Sequence, residues 1–212
     1  MIDLYTWHTP NGRKVSIMLE EIEMPYEVHS INIAKDEQFQ PHFLKVSPNN
    51  RIPAIVDRDN NNYSLFESGA ILLYLAEKSG KLINTDNRDD YYRTLEWLMW
   101  QMGGVGPMFG QVHHFVKYNK GKSEYSEMRY SKEARRLYGV MDKKLSKSQY
   151  IAGNDYSIAD ISIWPWAARF DWQEINLNEF PNVTRWYKEI SSRPAVQKGW
   201  LVPENDQVIP QP

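Results

Sequence analysis

Read along its apolar and polar positions, the chain changes character once, near residue 80. Before that point, short stretches of strand-like alternation exchange with helical spacing. Ile2 to Trp7 opens with apolar–polar alternation and predicts a first strand. Val15, Met18, Leu19 and Ile22 then recur at helical spacing, with Thr9 suited to the N-cap and Pro10 to the first helical position. Met24-Pro25 ends that helix, and Tyr26 to Ile33 alternates again as a strand. A strand, a helix and a strand at this spacing predict a parallel pair joined by a right-handed crossover. Phe39, Phe43 and Leu44 suggest a short irregular helix interrupted at Pro41. Ala54–Asp57 and Tyr63–Phe66 flank an Asn-rich turn and predict a hairpin. Ser68, as N-cap, opens a helix to Ser79 that Gly80 stops. This element order predicts a thioredoxin-like α/β domain over residues 1–80.

Beyond a linker at Lys81 to Asn87, no stretch reads as a strand. Residues 88 to 118 keep helical spacing, but Gly103-Gly104-Val105-Gly106-Pro107 predicts a kink or an interruption. A second long helix is expected from Ser123 to Lys147. Ser157-Ile158-Ala159-Asp160 resembles a capping box, with Asp160 in place of the usual Glu. Its helix carries Ile161, Ile163, Trp164 and Trp166. Further helices are expected from Val183 to Ser192 and from Pro194 on. The expectation is an all-α domain over 88–202 and a proline-rich, loosely held tail over 203–212, with no internal repeat.

Composition narrows the chemistry. A net charge of −2 over 212 residues offers no footprint for nucleic acid or an anionic membrane. Aromatics make up 13% of the chain, and most fall after residue 90, where an aromatic core or cleft is expected. Trp97, Trp100, Trp164 and Trp166 read mainly as core. There is no cysteine, which removes disulfides, thiolate metal sites and any protein thiol nucleophile. Thiol chemistry would then need a sulfur carried by a bound small molecule. His113 and His114 are adjacent, so they diverge around a helix, and no metal is expected. With no secretory segment and no membrane-spanning apolar run, a cytoplasmic chain is the expectation.

Two backbone devices stand out. A proline directly before a strand, at Ile52-Pro53, suggests an edge position or a cis bond. Ser68 opens a helix whose first amides point at whatever sits above them. Together they suit a peptide carrying negative charge; the plainer reading is a hairpin followed by a capped helix. With Glu67-Ser68-Gly69-Ala70-Ile71 behind Ile52-Pro53-Ala54, the Ser157-Ile158-Ala159-Asp160 helix start, and Ser192-Arg193-Pro194-Ala195, the chain resembles the cytosolic glutathione transferases over essentially its whole length. Thr9-Pro10-Asn11-Gly12, Gly103 to Met108 and His113-His114-Phe115 resemble, more narrowly, the bacterial Nu-class. Those are glutathione-dependent disulfide-bond oxidoreductases related to the yeast prion-forming nitrogen regulator.

The resemblance implies a site. The peptide before Pro53 is expected to be cis, so that the Ile52 backbone pairs with the cysteinyl part of glutathione. Ser68 would take the γ-glutamyl carboxylate and Glu67 its ammonium, while Gln38 and Arg51 would meet the glycine end. Arg129 would reach over from the second subunit of a homodimer. The common serine-type position, two residues before the proline, holds His8 here, and Tyr5 lies within the strand. The Nu-like resemblance implies Thr9 and Asn11 as the catalytic pair instead, and their donors with the helix start would favour thiolate. Taken plainly, Thr9 is an N-cap and Asn11 a first-turn residue, and Asp160 is a fold determinant. The implied activity is reduction of small disulfides by bound glutathione. The alternatives are conjugation to an electrophile or peroxide reduction, and a non-catalytic glutathione-binding or protein-interaction module.

Overall fold

Four strands make one mixed sheet: β1 (Ile2–Thr6), β2 (Tyr26–Ser30), β3 (Ala54–Asp57) and β4 (Tyr63–Phe66), in the order β2-β1-β3-β4. β1 runs parallel to β2 and antiparallel to β3, and β3 is antiparallel to β4. The β1–β2 crossover is α1 (Pro10–Glu21), and α3 (Ser68–Ser79) follows β4. Between β2 and β3, two single 3₁₀ turns precede the short α2 (Pro41–Leu44). This is the thioredoxin-like arrangement expected from element order. β3 lies inside the sheet, so Pro53 does not mark an edge; the Ile52–Pro53 peptide is cis.

The computed structural model describes Met1–Pro212 and divides into two compact units, Met1–Lys81 with Ser192–Ile209 and Leu82–Ser191 with Pro210–Pro212. The sequence reading carries the helical domain on to residue 202, whereas 192–209 groups with the first unit. The reason lies in α1, which is buried from Gly12 through Leu19, more than one apolar stripe requires. Its second covering is α9 (Pro194–Trp200). A Cβ on Gly199 would lie 2.6 Å from Ile17 Cα, so glycine is what allows the two helices to approach. The Arg13 guanidinium stacks 3.3 Å over the Trp200 ring, and its Nη2 donates to Gln207 at 2.8 Å. The expected loose tail is thus tied down in part: Trp200 Nε1 donates to Gln207 O at 2.7 Å, and Pro203 is buried behind a second cis peptide.

The second unit is helical throughout. Asn87 caps α4 (Arg88–Trp100). The glycine-rich run does not interrupt the helical path: residues Gln101–Val105 form a π-turn leading directly into α5 (Gly106–Val112), and His113–Tyr118 forms a second one. A widened turn absorbs the residues that cannot keep α geometry, and Pro107 falls in the first turn of α5, where its missing N–H matters least. α6 (Glu124–Leu145) is amphipathic and starts at its Ser123 cap. α7 (Ile158–Ala167) is buried at every position, as a helix apolar all round must be. α8 (Pro181–Ser191) presents Val183, Trp186, Tyr187 and Ile190 to the core. No helix is long and apolar enough to cross a membrane.

Candidate functional site

The strand register brings separate stretches of sequence to one end of the sheet. Tyr5 pairs with Ala54, and Ala54 with Phe66, so the end of β1, the start of β3 and the end of β4 lie side by side. Thr6 pairs with Ser30, which puts the end of β2 there too. Chain leaving or entering at this edge carries Thr9 and Asn11 after β1, Arg51 and Ile52 before β3, and Glu67 and Ser68 after β4. Gln38 lies in the Glu37–Phe39 turn of the segment that leaves β2 at the same end. Arg129 is different: it is exposed on α6, in the other unit.

Each stretch is held in place locally. Thr9 is the N-cap of α1, and its Oγ accepts from Gly12 N at 3.2 Å. That bond uses a lone pair, so the hydroxyl hydrogen can still be donated. Ser47 Oγ donates to Arg51 O at 2.8 Å and anchors the loop before the cis peptide. Ile52 packs with Tyr5, Val46 and Phe66 against a core of Ile31, Phe43 and Ala54. Arg51 is exposed. Gln38 Nε2 donates to Asp36 at 3.4 Å, while its Oε1 is buried with no hydrogen-bond partner.

The start of α3 departs from the sequence reading. Ser68 is the first helical residue, not the N-cap. Glu67 takes the cap position at φ +73°, with no capping hydrogen bond from its side chain. A non-glycine residue at positive φ is costly, and such strain collects at functional sites. Ser68 is buried, and its Oγ accepts from Lys14 Nζ at 3.1 Å. Lys14 is fully buried, and that burial pulls its amine down to about 7 against the raising influence of Glu67. The sequence reading overlooked Lys14, although its position four residues before Met18 puts it on the apolar stripe of α1. A lysine there is the signal that could have singled it out.

Other candidates resolve into packing and ion pairing. His113 is buried and His114 exposed. His113 stacks on Trp166, lies 3.2 Å from Gln173 Nε2, and is pushed down to about 4 by burial. Trp97 and Trp100 pack edge to face. The ligand atoms of Asp3, Glu27 and His29 come within 4.8 Å of one another, a spacing that would suit a metal. The cation they hold is Arg58, which donates to both carboxylates. Asp160 caps α7, with its carboxylate turned entirely to the fold.

Comparison with known proteins fits this geometry. Residues 1–77 match the glutathione S-transferase N-terminal domain and residues 105–194 its C-terminal domain. The disulfide-bond oxidoreductase YfcG of Escherichia coli is 47% identical over 205 residues, covering 95% of both chains. The chain belongs to the glutathione S-transferase family. Two solved members of this family resemble it closely. A glutathione transferase family member from Pseudomonas fluorescens, crystallised with two glutathione bound, superposes with a TM-score of 0.90 at 46% identity, covering 95% of this chain and 93% of that one. A glutathione transferase from Pseudomonas putida, with one glutathione disulfide bound per subunit, gives 0.89 at 45% identity, covering 95% and 91%.

Proposed function

We propose that this protein is a glutathione-dependent thiol:disulfide oxidoreductase that reduces small disulfides with bound glutathione. The observation that carries the reading is the gathering of Thr9, Asn11, the cis Ile52–Pro53 peptide, Glu67 and Ser68 at one end of the sheet, in a chain with no cysteine of its own. The likeness to the disulfide-bond oxidoreductase YfcG and the glutathione disulfide held by the Pseudomonas putida relative support it.

In this reading the γ-glutamyl carboxylate lies on Ser68 and the first amides of α3, where the helix end favours an anion. Glu67 pairs with the ammonium. The Ile52 backbone pairs with the cysteinyl residue like an added strand. Gln38 and Arg51 receive the glycine end, Arg51 as the partner of its carboxylate, and Arg129 of a second subunit completes the site in a homodimer. The sulfur faces Thr9 and Asn11. A free thiol titrates at about pH 8.5, and donors at a helix start stabilise the thiolate.

Glutathione thiolate attacks one sulfur of the substrate disulfide, forming a mixed disulfide and releasing one thiolate. A second glutathione thiolate attacks the mixed disulfide, releasing the other substrate thiol and glutathione disulfide. Two glutathiones are oxidised for each disulfide reduced, and the thiolates released take up the protons given up by the thiols. A cytoplasmic setting, with its reduced glutathione pool, would supply the reductant.

The test is turnover of hydroxyethyl disulfide with glutathione, coupled to NADPH through glutathione reductase. Removing both donors in a Thr9→Ala, Asn11→Ala variant should lower kcat/KM by about 10- to 1,000-fold while the protein still folds. Full turnover in that variant overturns the assignment of the sulfur site. Faster turnover of a chloronitrobenzene or an organic peroxide than of the disulfide would replace this activity with conjugation or peroxide reduction.

A further inference from the structure

The buried titratable group that the proposed reaction leaves unused is Lys14, which lies against Ser68. Lys14 has no solvent exposure, and when charged its ammonium can only donate, so in that state Ser68 Oγ is the acceptor in their 3.1 Å bond. That geometry directs the Ser68 hydroxyl hydrogen away from Lys14. It also places a potential positive charge directly behind the oxygen assigned to the γ-glutamyl carboxylate. A carboxylate accepting from Ser68 would lie within about 6 Å of Nζ, one further hydrogen-bond length on.

We propose that Lys14 is a proton-coupled counter-charge for the γ-glutamyl carboxylate: binding of the ligand draws a proton from solvent onto Lys14 Nζ, and the pair separates into neutral amine and free ligand on release. This rests on the glutathione reading above. The balance is simple. Neutral amine, one proton and the ligand carboxylate give ammonium and carboxylate held across the Ser68 hydroxyl.

The surroundings support such a change of state. Burial holds the amine down to about 7, so its charge is poised close to neutrality. Glu67, in the turn before α3, is the charged group that favours the ammonium. The first turn of α3 carries no acidic residue. On α1 itself, Arg13 lies on Trp200, while Glu21 and Glu20, at its far end, meet Arg193, just before α9, and Lys198 within it. From β1, Asp3 is bound by Arg58 and His29. His8, in the turn before α1, packs on the Trp7 ring. The arriving carboxylate therefore brings the new charge nearest to Nζ. The ligand ammonium, which offsets Glu67, is farther away, and in a partly buried site the nearer opposite charge wins.

Calorimetry with S-methylglutathione tests this, because a ligand without a thiol cannot release a sulfur proton. Titrations of the full chain in phosphate and in Tris, buffers of different ionisation enthalpy, read the protons exchanged. The expected result is uptake of most of a proton at pH 8 and little at pH 6, where Lys14 is already charged. Lys14→Met should abolish the uptake. In the unaltered protein, a ligand analogue lacking only the γ-glutamyl α-carboxylate should bind with no uptake, an arm that does not depend on the variant folding. Binding with no proton uptake at pH 8, or with the same uptake in Lys14→Met or with the analogue, overturns the proposal while leaving the glutathione reading intact. Absence of any binding by the unaltered protein overturns the glutathione reading and this proposal with it.

Discussion

Two helix starts in this protein present the same physics and put it to opposite uses. Both α3 and α7 open with a serine near an acidic residue, and both expose first-turn amides that need an acceptor. At α7 the fold supplies the acceptors itself: Leu82 O takes Ile158 N at 3.0 Å and Ser157 Oγ takes Ala159 N at 3.3 Å, and the Asp160 carboxylate holds that cap in place. Asp160 accepts from Ile151 N at 2.9 Å, Ser157 N at 3.0 Å, Ser157 Oγ at 3.1 Å and Trp186 Nε1 at 2.8 Å, completing a capping box at full burial. At α3 no side chain caps the helix. Glu67 sits at φ +73° with its carboxylate exposed, and Ser68 is engaged from behind by Lys14. The self-capped start joins distant parts of its own unit. The uncapped one is the start to which the proposed function assigns the γ-glutamyl carboxylate. An acidic residue near a helix start is therefore a fold determinant when it folds in to cap the helix, and a candidate ligand partner when it turns out.

The contrast can be broken most severely at α7. Asp160→Ala leaves three buried N–H donors without an acceptor and should cost roughly 3–5 kcal/mol, read as a lower urea midpoint by tryptophan fluorescence. If the loss is under about 1 kcal/mol, the carboxylate is not the keystone of that unit.

The same carboxylate should sign the pH dependence of stability. Burial raises Asp160 to about 6, outweighing its four donors, so between about pH 4 and pH 6 the folded chain binds more protons than the unfolded one. Its contribution is thus full below the unfolded carboxyl range and is lost as pH rises through 6, a span of about 3 kcal/mol at most. Subtracting the urea-midpoint profile of Asp160→Asn from that of the unaltered protein isolates this slope. A flat difference would mean that the donors and burial cancel, and a slope of opposite sign that the donors control the group.

At α3 the effect should fall on the ligand and spare the fold. Glu67→Gln and Ser68→Ala should each weaken glutathione binding by about 10- to 100-fold, the usual worth of a bond to a charged group. Stability should move by no more than about 0.5 kcal/mol in Glu67→Gln, whose side chain is exposed. Comparable losses of stability at α3 and α7 would erase the distinction drawn between them. The smallest expected change is at Ser157→Ala, where loss of one cap should cost about 1 kcal/mol and leave glutathione affinity unchanged in calorimetry.

What the sequence determined by itself is local. The strand alternation, the caps at Thr9 and Ser157, the Asn-rich hairpin and the Gly80 stop are short-range properties, and each element appears close to its expected span. The motif at Ile52-Pro53 and Glu67-Ser68 was legible for a similar reason, because backbone devices are written in the residues that make them. What only the tertiary structure decided depends on partners far along the chain. Residues 192–209 join the first unit because α1 needs a second apolar cover and Gly199 permits the approach to Ile17. The glycine-rich run stays helical because a widened turn absorbs it, a choice that glycine content alone does not reveal. Ser68 gives up the cap position to Glu67, a residue at positive φ that propensity disfavours. Lys14, 54 positions from Ser68 along the chain, meets it only because the β-sheet brings the starts of α1 and α3 to the same end. Pattern reports which residues can be buried, but the charge state of a buried amine depends on what folding packs around it.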